Sequence, residues 1–245
     1  MYPYVQIVLP AYTVMAFCGG ICALIYVFAR LERFKVEFTQ FLIIFVLCVV
    51  GGVIGSKVVF AATQIGWLLE NFSIQNLLLL IPQSGYVFYG GLFGVILTLH
   101  ICTHKDKELN KRIFRMVAPA MPLFHAFGRI GCFLTGCCYG KELTTPVQIM
   151  GVELTRIPVQ LIESAAEFVL FVVLVIWDKK KDDSDLLRVY LISYALIRFA
   201  DEFLRGDVVR GIYFGISTAQ WISMAILGYY AVKMIRSGRM KKITV

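Results

Sequence analysis

The sequence predicts an all-α polytopic membrane protein of about seven transmembrane helices, with the N-terminus outside and the C-terminus cytoplasmic. Three observations lead there. Of 245 residues, 59% are hydrophobic and only 16% charged, whereas soluble domains are about half apolar and about a quarter charged. The apolar residues fall in runs that approach the roughly 20 residues a helix needs to cross a bilayer. Lys and Arg then set the orientation. Arg30, Arg33, Lys35, Lys105, Lys107, Lys111, Arg112, Arg115, Lys179, Lys180, Lys181, Arg188, Lys233, Arg236, Arg239, Lys241 and Lys242 put seventeen basic residues on one side. Lys141, Arg156, Arg205 and Arg210 put four on the other, and the richer side is cytoplasmic by the positive-inside rule.

In order, the spans fall near 5–29, 41–62, 85–102, 114–134, 159–177, 187–204 and 212–234, forming one integral membrane domain over 1–245. Met1 to Pro10 holds no Lys or Arg and no Ala-x-Ala cleavage site follows, so the first span is expected to be retained rather than removed as a signal peptide. The second span carries Gly51-Gly52-Val53-Ile54-Gly55-Ser56-Lys57 and the third carries Gly90-Gly91-Leu92-Phe93-Gly94. Such small-residue stripes let helices approach closely, and backbone N–H groups freed where a helix starts or breaks can hold phosphate. Between them, Ile65–Leu69 and Asn76–Ile81 are apolar enough to lie along the outer leaflet. Pro119 and Pro122 interrupt the fourth span, and Pro158 suits the first turn of the fifth. The net charge of +8 needs no nucleic acid as partner, because the basic residues cluster in loops where anionic membrane lipids attract them.

Three basic residues lie inside spans: Lys57, Arg129 and Arg198. A guanidinium cannot shed its charge, and holding it at membrane depth costs several kcal/mol by most estimates. His125, Arg129 and Cys132 stand at i, i+4 and i+7, on one helical face. Arg198, Glu202 and Arg205 repeat that spacing, so Glu202 can accept N–H bonds from either arginine, with Asp201 and Asp207 close by. Both faces reach the outer half of the membrane in the proposed topology. Guanidinium groups outnumbering the buried acids there imply an anion-binding site, a phospholipid phosphate being the nearest candidate. Gln160 and Glu163 are polar residues at the entry of the fifth span, where capping is an equal explanation. Tyr86 and Tyr89 precede the second glycine stretch and can offer phenol groups at similar depth.

Of seven cysteines, Cys18, Cys22, Cys48 and Cys102 are scattered in spans as small apolar side chains. Cys132, Cys137 and Cys138 are clustered, and with His125 they could ligate a metal or exchange thiols. The spacing C-x4-C-C matches none of the familiar paired zinc knuckles, so neither metal nor cofactor is expected. A membrane thiol-redox or metal-binding protein using these three cysteines, or a non-catalytic phospholipid-binding protein, stands as the alternative.

The ordered motifs resemble those of the prolipoprotein diacylglyceryl transferase family over nearly the whole chain. The family signature Gly-Arg-x-Gly-Asn-Phe-x-Asn-Gly-Glu-x-x-Gly is similar to Gly128-Arg129-Ile130-Gly131-Cys132-Phe133-Leu134-Thr135-Gly136-Cys137-Cys138-Tyr139-Gly140. Pro158-Val159-Gln160-Leu161-Ile162-Glu163, Arg198 through Arg205, and Gln220-Trp221-Ile222-Ser223 resemble three further motifs. The chain departs from the family at Tyr89-Gly90-Gly91, where His-Gly-Gly is usual, and at Cys132, Thr135 and Cys137. The resemblance implies a multi-pass enzyme of the bacterial cytoplasmic membrane. It would transfer diacylglycerol from phosphatidylglycerol to the lipobox cysteine thiol of a prolipoprotein signal peptide, releasing glycerol 1-phosphate. It implies catalytic roles for Arg129, Arg198, Tyr89, His125 and Glu202. It implies substrate contacts for Lys57, Gly90, Gly91, Gly128, Gly131, Gly140, Gln160 and Arg205.

Overall fold

The structure, a computed structural model, describes residues 4–5, 9–63, 73, 87–149, 152–180, 185–207 and 211–243. The expected interfacial segments at Ile65–Leu69 and Asn76–Ile81, and Tyr86, lie outside the described residues. Among the described residues, four helical stretches are long and apolar enough to cross a membrane, Ala11–Phe28, Phe38–Ala62, Lys107–Thr135 (broken once, at Ala118-Pro119) and Val159–Lys180, and Phe88–Thr103 is a shorter apolar one. The chain is a mostly helical, polytopic membrane protein. Large apolar side chains such as Phe17, Ile25, Ile43, Val58, Val169 and Val172 face outward, as they do when lipid rather than water surrounds the helices.

The chain divides into two compact units, residues 1–29 with 115–245, and residues 30–114. In the first unit, a short hairpin of β1 (Tyr4–Val5) and β2 (Leu9–Pro10) leads into α1 (Ala11–Phe28). The second unit holds α2 (Leu31–Phe34), α3 (Phe38–Thr63) and α4 (Phe88–Thr103). Helix α5 (Lys107–Val117) begins in the second unit and ends in the first. There α3 packs on α4 through the two glycine stretches. A Cβ placed on Gly90 would lie 2.5 Å from the Gly55 carbonyl oxygen and 2.8 Å from Val59 Cβ, so only glycine permits this approach. Thr98 returns its hydroxyl to the Gly94 carbonyl at 2.8 Å, keeping the helix satisfied within itself.

The first unit continues with α6 (Ala120–Thr135), α7 (Val159–Lys180), α8 (Leu186–Asp201) and α9 (Thr218–Ile243). Helix α6 packs on α1 and α7, and α8 packs on α7 and α9. The interruption expected in the span near 114–134 falls at Ala118-Pro119, because proline lacks an N–H and disfavours helical backbone before it. Strands, which an all-α reading omits, occupy two connections. Glu142–Ile149 (β3) pairs with Val152–Arg156 (β4), and Ile212–Tyr213 (β5) pairs with Ile216–Ser217 (β6). The latter hairpin turns on Phe214 and Gly215, both at positive φ, so the last helix starts at Thr218 rather than at 212. Deep between α5 and α7, Arg115 Nε donates to the fully buried Asp178 at 2.6 Å.

Candidate functional site

Three of the sequence motifs meet in the first unit, and the backbone explains how. Helix α6 stops at Gly136, whose φ of 74° is open to glycine. The Gly136 N–H donates to the Phe133 carbonyl and the Cys137 N–H to the Cys132 carbonyl, each at 3.1 Å, which closes the helix end in a Schellman turn. The chain then runs between the start of α7 and the end of α8. Gly140 N–H donates to Ile157 O at 3.2 Å, Ile157 N–H to Lys141 O at 2.9 Å, Lys141 N–H to Leu204 O at 2.9 Å, and Gly206 N–H to Tyr139 O at 3.0 Å. The Gln160 amide donates to the Cys137 carbonyl at 2.7 Å. A Cβ on Gly140 would meet Ile157 Cβ at 2.8 Å. Gln160 and Gly140 therefore hold the loop that carries the cysteines.

Glu163 is the centre of the side-chain network. It is 1% exposed. Arg129 Nη2 lies 2.7 Å from its Oε2, and Arg198 Nη1 lies 3.4 Å from the same oxygen. Arg198 Nη1 also bonds Asp201 at 2.9 Å, and its Nη2 bonds Glu202 Oε1. Arg205 reaches that Glu202 oxygen at 3.4 Å and clasps Asp207 through Nε and Nη2 at 2.8 and 2.5 Å. His125 Nε2 stands 3.8 Å from Glu163 and its Nδ1 stands 3.5 Å from Glu167. The ring meets Tyr194 edge-on with centroids 5.3 Å apart. At 1.5 Å rise per residue, Arg129, Glu163 and Arg198 lie about 5–9 Å inside the adjoining ends of their helices.

The network corrects one expectation from the sequence. The arginines do not outnumber the acids. Among the described residues, Glu163, Glu167, Asp201, Glu202 and Asp207 are all buried around Arg129, Arg198 and Arg205. The low dielectric explains this, since a buried guanidinium left uncompensated is far costlier than a paired one. The compensation is uneven. Arg198 and Arg205 are each held by two or more carboxylates, whereas Arg129 has Glu163 and a 3.9 Å contact to Cys132 Sγ. Arg129 Nε is buried with no hydrogen-bond partner among the described residues.

Of the other predicted residues, Gly131 and Tyr89 are closely packed. A Cβ on Gly131 would meet Tyr12 Cα at 3.1 Å, while one on Gly128 would meet nothing within 4 Å. Lys57, Tyr89, Gly90 and Gly91 belong to the second unit, where Tyr89 is buried and stacks on Phe93 with centroids 5.9 Å apart. From the sequence, Glu163 receives too little weight and Glu167 is passed over. Two carboxylates four residues apart in an apolar span were the cue, pointing to buried basic partners on a neighbouring helix.

A model of the prolipoprotein diacylglyceryl transferase family matches residues 3–236. The chain belongs to that family. It is similar to phosphatidylglycerol–prolipoprotein diacylglyceryl transferase 2 of Clostridium perfringens, 34% identical over 193 residues that cover 74% of this chain and 73% of that protein. The corresponding transferase of Clostridium tetani is 32% identical over 77% of this chain and 78% of its own length. That of Campylobacter hominis is 30% identical over 86% and 81%. Cys132 and, through Glu163, His125 adjoin Arg129 in this chain.

Proposed function

We propose that the chain transfers diacylglycerol from phosphatidylglycerol to a prolipoprotein cysteine at the outer half of the bacterial cytoplasmic membrane. Family membership makes it a diacylglyceryl transferase. The finer reading has seven spans, with α8 and α9 as the last two, the N-terminus outside and the C-terminus cytoplasmic. The Lys and Arg distribution supports it, and in that topology the joined ends of α6, α7 and α8 face outward.

The observation that carries the site assignment is the shared anchorage of Arg129 and Arg198 on Glu163. Glu163 holds the two guanidinium groups side by side, and the spare Nε–H of Arg129 is the donor left for a phosphate oxygen. The acceptor thiolate attacks the glyceryl carbon that bears the phosphate ester. The C–S bond forms, the C–O bond breaks, and the electron pair departs on the phosphate. Negative charge grows on that phosphate in the transition state, where preorganised donors in a dry site act most strongly. Glu202 positions Arg198 and Arg205 together. His125, backed by Glu167, takes the acceptor proton as general base. The roles of Lys57, Tyr89, Gly90 and Gly91 rest on the resemblance alone.

Turnover of radiolabelled phosphatidylglycerol with a lipobox peptide by the purified protein tests this reading. Arg129→Gln is expected to lower product formation by about 10²–10³-fold while the protein stays folded. Undiminished turnover in that variant removes Arg129 from the site.

A further inference from the structure

The network leaves three cysteines without a task, and they form a group of their own. The sulfurs of Cys132, Cys137 and Cys138 all lie within 4.8 Å of one another. Adjacent cysteines in extended backbone point apart, which is why the sequence spacing argues against a common ligand. Here Gly136 is at φ 74° and Cys138 at φ 55°, and the curled loop turns both loop sulfurs towards the one on α6. All three are free thiols in the structure. Sulfurs sharing one zinc ion at about 2.3 Å each stand roughly 3.8–4.0 Å apart, so the trio needs less than about 1 Å of adjustment to close on one ion.

We propose that Cys132, Cys137 and Cys138 bind one thiophilic divalent cation of the zinc class, leaving its fourth position open to the acceptor thiol. Three protein ligands with one open position is the pattern of catalytic rather than structural zinc, and thiolates select soft ions over magnesium or calcium. Three thiolates on a divalent ion carry one net negative charge. Arg129, whose Nη1 lies 3.9 Å from Cys132 Sγ, offsets it. The outer shell is built as well. Gln160 fixes the Cys137 carbonyl, and the Thr135 hydroxyl stands 3.5 Å from Cys137 Sγ. Cys137 is exposed and Cys138 half-buried, so an incoming ligand has a route.

The task of the ion rests on the transferase reading above. An ordinary thiol has a pKa near 8.5 and is mostly protonated at neutral pH. Bound as fourth ligand it loses its proton, which passes to His125 or water. The coordinated thiolate then attacks the glyceryl carbon, the C–S bond forming as the C–O bond to phosphate breaks. The neutral thioether is a weaker ligand than the thiolate, so it leaves and water takes its place. No electron is gained or lost by the ion.

Cobalt(II) in the reduced, chelator-stripped protein is the test. One equivalent is expected to bind with a thiolate-to-cobalt charge-transfer absorption, which Cys137→Ser and Cys138→Ser each abolish. A lipobox peptide is expected to shift the cobalt ligand-field bands, and the same peptide with serine for cysteine is not. Sub-stoichiometric cobalt, bands indifferent to the thiol, or a disulfide within the trio in the native protein overturns the inference. Undiminished turnover by metal-free protein also overturns it and leaves the transferase reading standing. Cobalt that binds and answers to the thiol while no phosphatidylglycerol is consumed supports the ion site and sinks the transferase reading instead.

Discussion

Where α3 meets α4, backbone lies against backbone; where α6, α7 and α8 meet, guanidinium groups lie against carboxylates. Both contacts hold apolar helices together in a solvent that supplies little hydrophobic drive between them. The glycine contact works through dispersion and close approach and has no charge to satisfy. The charged contact takes several groups out of water, an arrangement that often adds nothing to stability over a well-packed apolar one. The difference teaches where to look for chemistry. Glycine packing accounts for how the helix pair is held, while the arginine network asks for a reason beyond packing, and an anionic transition state supplies one.

The comparison is most severely tested at Glu163, the carboxylate shared by Arg129 and Arg198. Glu163→Gln keeps the shape and an acceptor but removes the charge. Breaking a buried ion pair from one side costs about 3–5 kcal/mol, which is expected as a large drop in the midpoint of denaturant or thermal unfolding. Turnover per folded molecule is expected to fall by about 10²-fold or more as both arginines lose register. Wild-type turnover in this variant breaks the idea that Glu163 sets their positions. Gly94→Val addresses the other region, since a Cβ there would lie 2.2 Å from the Gly51 carbonyl oxygen and force the two helices apart. Overpacking is expected to cost about 1–3 kcal/mol in unfolding measurements, with turnover per folded molecule kept. Loss of turnover at unchanged stability would instead mean that the glycine face binds substrate. The smallest effect is expected at the exposed Glu142–Arg156 pair on the β3–β4 hairpin, 2.8 Å apart. Glu142→Ala should change stability by less than about 1 kcal/mol, and a larger change would show that ion pairs matter in this chain wherever they occur.

The sequence made the helices legible because lipid demands long apolar runs, and it made Arg129, Arg198 and Glu202 legible because a charge in such a run stands out. The i, i+4 step from Arg198 to Glu202 is local geometry and survives in the fold. Glu163 was less legible because its partners come from two other helices, and a sequence read along one span shows only a polar residue near its entry. Asp201, Glu202 and Asp207 stand beside Arg198 and Arg205 in sequence, so the expected excess of arginine over acid left out Glu163 and Glu167, which another helix brings in. Cys138 was hidden differently. Whether it faces Cys132 depends on a left-handed residue in the loop, a conformation that cysteine seldom signals. The split at Ala118-Pro119 was visible in the proline itself, but the β3–β4 hairpin, in a loop of mixed polarity, was not.

The central claim is that Arg129 and Arg198 act on one phosphate as a single unit. A double-mutant cycle on turnover tests it most directly, using Arg129→Gln, Arg198→Gln and the combined variant, each scaled to its folded fraction. Residues that act as a unit are strongly non-additive, so each single substitution is expected to lose nearly as much activity as the pair. Losses that simply multiply, or either single variant turning over at the wild-type rate, would contradict the account.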